Sequence, residues 1–113
     1  MKIIPKVWGW EVVLVSNKLY SCKVMVIKGG YQCSIHYHKL KDETFVLLAG
    51  QVSLETGNTG YIMDPFSEYH IARGRKHRFK GAAGLSFVLE VATQDLPGDS
   101  YRETKSGKID TTK

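Results

Sequence analysis

The segment between Gly30 and Gly50 carries residues that could bind a metal ion. His36 and His38 lie two positions apart, so on a β-strand their side chains point to the same face. Glu43 follows a short turn, and an antiparallel return of the chain would place its carboxylate beside the two imidazoles. Two imidazoles and one carboxylate on neighbouring strands form an incomplete site for a divalent metal ion. Gly30 and Gly50 stand where the chain must turn tightly, and glycine tolerates the positive φ of such turns.

The other two histidines, His70 and His77, are the candidates for a third imidazole. His77 follows the turn at Gly74-Arg75-Lys76 and leads into a strand. His70 lies beside Tyr69 and Ile71, a setting more typical of a structural histidine. A site built from imidazoles and a carboxylate accepts zinc, manganese, iron, nickel or cobalt, so the sequence predicts one divalent metal ion without choosing among these.

The elements that must position these residues are short strands. Apolar and β-branched residues alternate with period two, turn residues recur about every ten positions, and no window carries an amphipathic helix pattern. Such a pattern predicts an all-β sandwich or barrel. The predicted strands span residues 8–15, 20–28, 33–38, 43–49, 51–56, 60–63, 67–71, 77–80 and 85–92. The apolar strand around Phe87 is expected to be buried. The segment from Pro97 onward is polar, which predicts a surface arm with a frayed end.

Size and composition predict one domain over residues 1–113, with 42% hydrophobic and 24% charged residues. No signal peptide and no membrane-spanning run is recognisable, so we expect a cytoplasmic protein without membrane association. Cys22 and Cys33 are too few for a disulfide framework. Cys33 could serve as a ligand or nucleophile, but a small buried strand residue is the favoured interpretation.

The net charge of +5 includes one dense basic group, Arg73, Arg75, Lys76, Arg78 and Lys80. No nucleic-acid-binding motif accompanies it, so we expect no nucleic-acid partner. The group is either a solvated strand and turn or a source of attraction for an anionic small molecule.

The spacing of Gly30, His36, His38, Glu43 and Gly50 resembles the first motif of the cupin superfamily. That motif reads Gly, five residues, His-x-His, three or four residues, Glu, six residues, Gly, and every fixed position is matched. The resemblance covers roughly residues 7–92. It implies a single cupin-type antiparallel β-barrel, or jelly roll.

The second cupin motif is matched only in its centre, by Gly74 and His77. Phe66, Ala72 and Gly81 stand where the family has Gly, Pro and Asn. The resemblance therefore selects His77 as the third imidazole, and it implies that the metal ligands are His36, His38, Glu43 and His77.

A finer resemblance links both ends of the chain to cupins related to the type II mannose-6-phosphate isomerases. Pro5-Lys6-Val7-Trp8-Gly9-Trp10-Glu11 is similar to their Lys-Pro-Trp-Gly-x-Glu segment, although Pro and Lys are exchanged and Val7 is inserted. The stretch 26–38 and the end from Glu90 to Arg102 are also similar. The resemblance implies that the substrate is a small sugar or an anionic sugar such as a sugar phosphate. Trp8-Gly9-Trp10 could equally be an aromatic plug over the barrel or part of a dimer interface.

Open coordination positions on a His3Glu metal suit aldose–ketose isomerisation of a small sugar or sugar phosphate. That reaction needs a separate general base, and the candidates are Tyr37, Lys39, Lys41 and His70. The alternatives are a metal-dependent dioxygenase and a sugar- or acid-binding module without turnover. Exposed sheet edges and faces predict a twofold homodimer, with residues 7–15 contributing to the interface.

Overall fold

The structure is a computed structural model that describes residues 1–110, and within these residues it contains thirteen β-strands and no helix. The strands are β1 (Lys2–Lys6), β2 (Gly9–Ser16), β3 (Ser21–Lys28), β4 (Tyr31–Gln32), β5 (His36–Tyr37), β6 (Glu43–Ala49), β7 (Val52–Thr56), β8 (Thr59–Ile62), β9 (Glu68–Ile71), β10 (His77–Gly81), β11 (Leu85–Ala92), β12 (Tyr101–Arg102) and β13 (Gly107–Lys108). The described part of the chain therefore has no helix with the length and apolarity needed to cross a bilayer.

Two antiparallel sheets pack face to face. The six-stranded sheet has the order β1-β2-β3-β11-β6-β9, and the second sheet has the order β12-β5-β10-β4-β13, with the β7–β8 hairpin attached to β10. β11 pairs with β3 along its whole length and with β6 from Phe87 to Ala92, and both partners are far from β11 in sequence. The fold is thus all-β, as the period-two pattern predicts, and it is the cupin-like sandwich that the motif spacing implies.

Buried residues alternate with half-buried or exposed residues along the strands, so one face of each sheet forms the core and the other faces outward. In β3 the residues Ser21, Lys23, Met25 and Ile27 are buried, and the residues between them are half-buried. The same phase in β11 buries Val88, which is 2% exposed, and turns Phe87 to the outer face of the six-stranded sheet. The expectation that Phe87 is a core residue is therefore wrong. Val88 takes that place because a shift of one residue exchanges the two faces of a strand.

Most predicted strands match the observed ones within one or two residues. Of the predicted strand 33–38 only His36–Tyr37 forms a strand, β5, and β1, β4, β12 and β13 were not predicted. Gly30 and Gly50 have φ values of +81° and +94°, which confirms their role in tight turns. A Cβ at position 50 would also lie only 2.6 Å from the Cα of Ser86, so the close approach of the backbones requires glycine there.

The segment after Pro97 differs from a free polar arm, because it pairs with the second sheet. β12 pairs with β5, and β13 pairs with β4. The hydroxyls of Thr104 and Ser106 accept hydrogen bonds from the backbone amides of Ile35 and Ser34. These polar contacts carry no hydrophobic periodicity, which explains why the pattern did not predict them. The very end, residues 111–113, lies outside the described residues.

Candidate metal centre and cavity

Three histidines converge at one end of the second sheet. His36 begins β5, His77 begins β10, and the two residues are direct partners across the strand pair. His38 follows β5, so its ring joins theirs on the same face. The nitrogen atoms that these rings offer all lie within 4.8 Å of one another, a group that could hold a metal ion. Glu43, the first residue of β6, brings its Oε1 to 2.8 Å from His77 Nε2 and 3.7 Å from His38 Nε2.

The backbone orients all three imidazoles in the same way. The Nδ1 atoms of His36, His38 and His77 donate to the carbonyls of Ser34, Asp99 and Arg75, at 2.8, 2.9 and 2.9 Å. A neutral imidazole has one ring proton, so each Nε2 then presents a lone pair. Burial lowers the pKa of His36 to about 3 and also lowers that of His38, which keeps both rings neutral.

Glu43 adds an ionised carboxylate to these lone pairs. Burial opposes its ionisation, but the contact with His77 and the charge of Lys41 outweigh burial and lower the pKa of Glu43 to about 2. Neither carboxylate oxygen of Glu43, nor His77 Nε2, has a well-formed hydrogen bond, although all are fully buried. Glu43 Oε1 and His77 Nε2 face each other at 2.8 Å as two acceptors, which is costly in the interior, while Glu43 Oε2 lies 3.3 Å from Lys41 Nζ. A divalent cation between Oε1 and the imidazole nitrogens would remove this cost, so the residues fit a metal ion.

His36 and His38 line a cavity of about 550 Å³ between the sheets, whereas His77 lies behind them and does not line it. Its apolar wall includes Trp8, Met25, Phe45 and Phe79, with Trp8 packed edge-to-face on Phe79 at 5.0 Å. Trp8 is therefore part of the core and of the cavity wall, while Trp10 points to the outside. Cys33 also lines the cavity, but burial raises its pKa to about 12 and leaves an unreactive thiol.

A cluster of charged side chains lies beside the histidines, and we call it the charge cluster. Lys23 Nζ is 3.4, 3.5 and 3.8 Å from carboxylate oxygens of Glu11, Asp95 and Glu90. Lys41 Nζ is 3.3, 3.5 and 3.5 Å from oxygens of Glu43, Glu90 and Asp95. Burial opposes ionisation of Lys41, but Glu90 and Glu43 outweigh it and raise its pKa. Lys6 Nζ also lies 4.0 Å from Glu11, so when all groups are ionised four carboxylates and three ammonium groups leave a formal charge of −1.

Three of the four candidate bases lie outside the cavity. Tyr37 stacks on Tyr101, Lys39 lies over the same ring, and His70 is 59% exposed and pairs with Asp42 at 2.7 Å. Only Lys41 lines the cavity, and its ion pairs hold its proton. The prediction that His70 is a structural histidine agrees with its location outside the cavity and its pairing with Asp42.

The dense basic group also points away from the cavity. Arg78 and Lys80 pair with Glu55, Lys76 pairs with Glu103, and Arg73 donates to the carbonyl of Leu40. The interpretation that this group attracts a ligand to the histidines is therefore not supported by its position. The cavity has different cationic residues, Lys6, Lys23, Lys41 and Arg102. One of them, Lys23, could have been predicted from the sequence, because it lies on the same face of β3 as Met25 and Ile27.

Asp99 holds the loop between His38 and Glu43. Its carboxylate accepts hydrogen bonds from the backbone amides of Lys39, Leu40 and Lys41 at 2.9, 3.2 and 3.0 Å. Asp99 is 6% exposed, and its removal would leave these three backbone amides without their hydrogen-bond acceptor.

We expect Asp99→Ala to lower the free energy of unfolding by about 3 kcal/mol, because hydrogen bonds to a buried charge are worth more than neutral ones. Urea denaturation measures this loss. Asp64→Ala removes an exposed aspartate and serves as the control. Equal stability of the two variants would contradict the role of Asp99.

Comparison with known proteins adds evidence on the fold. No protein-family model and no curated protein matches the sequence. Among solved structures, the cupin domain of Cnp3 from Schizosaccharomyces pombe superposes with a TM-score of 0.74 and 13% identity, over 84% of this chain and 69% of that one. The chain has the cupin fold.

Two further structures share the cupin fold. KdgF from Halomonas sp. matches with a TM-score of 0.79 and 10% identity, over 86% of this chain and 89% of that one. CapF, a capsular polysaccharide assembling protein from Staphylococcus aureus, matches with a TM-score of 0.80 and 15% identity, over 89% of this chain. This cupin-fold chain spans a third of the length of CapF.

Proposed function

We propose that this chain binds one divalent metal ion through His36, His38, Glu43 and His77 and isomerises a small sugar or sugar phosphate. One observation carries the proposal: three imidazole lone pairs and an ionised carboxylate converge beside a cavity that His36 and His38 line. The donor set of three nitrogens and one carboxylate accepts zinc, manganese, iron, nickel or cobalt. A bound ion would supply Lewis-acid polarisation of a carbonyl and hold a neighbouring hydroxyl oxygen beside it.

The cavity supports a small polar substrate. Its volume of about 550 Å³ lies within the usual range for small-molecule sites, and it combines an apolar wall with convergent charged groups. The backbone carbonyls of Ser34, Arg75 and Asp99 fix the imidazole rings, so the site is organised before a substrate arrives. The similarity of residues 5–11 to the type II mannose-6-phosphate isomerases, and the polysaccharide assembly stated for CapF, favour a sugar.

The reaction is tested by proton exchange. The apoprotein is loaded with manganese, zinc, nickel or iron in turn and incubated in heavy water with a panel of aldoses, ketoses and their phosphates. We expect deuterium to enter the carbon next to the carbonyl, as followed by NMR, because an enediol route exchanges that proton with solvent. Glu43→Gln should abolish the exchange, and His70→Gln should leave it unchanged.

The other outcomes distinguish the alternatives. Oxygen uptake by the iron form alone would replace the isomerase with a dioxygenase. Chemical-shift changes on sugar binding, without exchange or oxygen uptake, would leave a binding module. Either result would contradict the proposed isomerisation.

We also propose that the chain forms a twofold homodimer through the outer face of the six-stranded sheet. Trp10, Val24, Val26, Phe87 and Leu89 lie on this face and are half-buried or exposed. Strand β2, which contributes Trp10, belongs to the segment 7–15 expected at the interface. A contiguous apolar face of this kind is a site of association.

Light scattering at micromolar concentration should give twice the chain mass of 12.7 kDa. Trp10→Glu should shift the mass to that of one chain, because the twofold axis places the new charge against the same face of the second copy. Tyr20→Glu, at an exposed position outside this face, is the control. A wild-type mass near 12.7 kDa would contradict the proposal.

A further inference from the structure

The proposed isomerisation requires a group that takes a proton from one substrate carbon and returns it to the next. Tyr37, Lys39 and His70 lie outside the cavity. Lys41 lies inside, but three carboxylates within 3.5 Å hold it as an ammonium ion. Glu43 belongs to the metal centre. The acid–base group must therefore be a residue that the motifs do not contain.

Glu90 occupies the position that this role requires. It lies on the inward phase of β11 with Val88, lines the cavity and is 4% exposed. Its Oε2 is fully buried and has no hydrogen-bond partner. Lys41 and Lys23 approach this oxygen only to 3.5 and 3.8 Å, which is longer than a charge-assisted hydrogen bond. A buried carboxylate oxygen with a free lone pair at a cavity wall is available to a ligand.

The position of Glu90 also links it to the metal centre. Lys41 Nζ contacts Oε2 of Glu43 at 3.3 Å and Oε2 of Glu90 at 3.5 Å, so one ammonium group bridges the two carboxylates. His36, His38 and Glu90 also line the same cavity, so a small ligand bound there can contact both the histidines and Glu90.

We propose that Glu90 is the catalytic acid–base residue that moves the proton between the two substrate carbons. This assignment rests on the proposed isomerisation and deepens it. The Glu90 carboxylate takes the proton from the hydroxyl-bearing carbon next to the carbonyl, the C–H electron pair forms the C=C bond, and the C=O π pair moves onto the carbonyl oxygen. The proton of the neighbouring hydroxyl passes through water to that oxygen, so the former hydroxyl oxygen becomes the new carbonyl oxygen. The Glu90 carboxylic acid then returns the proton to the former carbonyl carbon. One carbon is oxidised and the other reduced, so no external oxidant or reductant is needed.

The surroundings of Glu90 suit such a shuttle. Burial and the charge of Glu43 raise its pKa to about 7, against the opposing effect of Lys41 and Lys23. The charged groups that face it are Glu11 on β2, Lys23 on β3, Lys41 before β6, Glu43 on β6 and Asp95 after β11. A raised pKa makes a carboxylate a stronger general base, which suits proton abstraction from carbon.

The test compares metal-loaded wild type, Glu90→Gln and Glu90→Asp, with Glu55→Gln on the outer surface as the control. Deuterium exchange is measured on the sugar of the panel that exchanges fastest and on hydroxyacetone, the smallest α-hydroxy ketone with a methyl group. We expect Glu90→Gln to lose at least about 100-fold in exchange rate, the usual contribution of general base catalysis. Glu90→Asp should retain a fraction of the rate.

Binding is measured separately from chemistry. Acetohydroxamate, which mimics an enediolate, is titrated into the cobalt-loaded proteins and followed by the visible spectrum. We expect its affinity and the metal content to be the same in wild type, Glu90→Gln and Glu55→Gln, because the side chain acts on the proton and does not hold the metal. If Glu90→Gln fails to fold, Glu90→Asp decides through the same two measurements.

Each other result overturns the assignment. Wild-type exchange in Glu90→Gln would show that another group moves the proton and would leave the isomerase proposal intact. If Glu90→Gln loses exchange and also loses acetohydroxamate binding or bound metal, Glu90 maintains the structure of the site and does not move the proton. Absence of exchange in wild type with every metal would overturn the proposed isomerisation and this assignment with it.

Discussion

His77→Gln is expected to abolish stoichiometric metal binding. His77 Nε2 is buried, lies within 4.8 Å of the ligand atoms of His36 and His38, and is 2.8 Å from Glu43 Oε1. Loss of groups that merely orient a ligand costs 10- to 100-fold in affinity, so loss of the ligand itself should cost at least about 100-fold. Elemental analysis of protein purified without chelator measures the effect.

The melting temperature gives a second readout of the same prediction. A metal ion at about 100 times its Kd stabilises the folded state by about 2.7 kcal/mol, which corresponds to a rise of roughly 10 °C for a domain of this size. The rise should appear in wild type and in His70→Gln, whose imidazole is exposed and paired with Asp42. It should be absent in His77→Gln. A wild type that purifies without stoichiometric metal and melts at the same temperature with added metal would contradict the candidate site.

The second large effect is expected from Val88→Asp, which should unfold the protein. Val88 is 2% exposed and lies in the apolar core of the sandwich. An aspartate there is an unpaired buried charge, and we expect a loss of more than about 4 kcal/mol in the free energy of unfolding, a large share of the stability of a small domain.

Phe87→Asp, one position earlier on β11, is the matched control. Phe87 lies on the outer face of the six-stranded sheet, where a carboxylate on a single chain reaches solvent. We expect this variant to remain folded by circular dichroism and to have the mass of one chain by light scattering. If Phe87→Asp unfolds and Val88→Asp remains folded, the alternation assigned to β11 is wrong.

Strand β11 could be predicted from the sequence, but the face of β11 that is buried could not. The run from Leu85 to Leu89 is apolar at four of its five positions, so the pattern predicts a strand but not which face is buried. The pairing of β11 with β3 and β6 decides the face. Glu90 was missed for the same reason. In sequence it reads as the polar end of a strand, and only the sandwich turns it into the cavity.

Local spacing by itself determined the strand pattern, the turns at Gly30 and Gly50 and the clustering of His36, His38 and Glu43. Period-two alternation and a short return of the chain act over a few residues, so they are legible in a single sequence. His77 required a resemblance, because about forty residues separate it from His36. The tertiary structure alone decided that Lys23, Lys41, Glu90 and Asp95 meet beside the histidines, and that the segment after Pro97 pairs with β4 and β5. These contacts join distant segments through charge and backbone hydrogen bonds, and neither leaves a periodic signal in the chain.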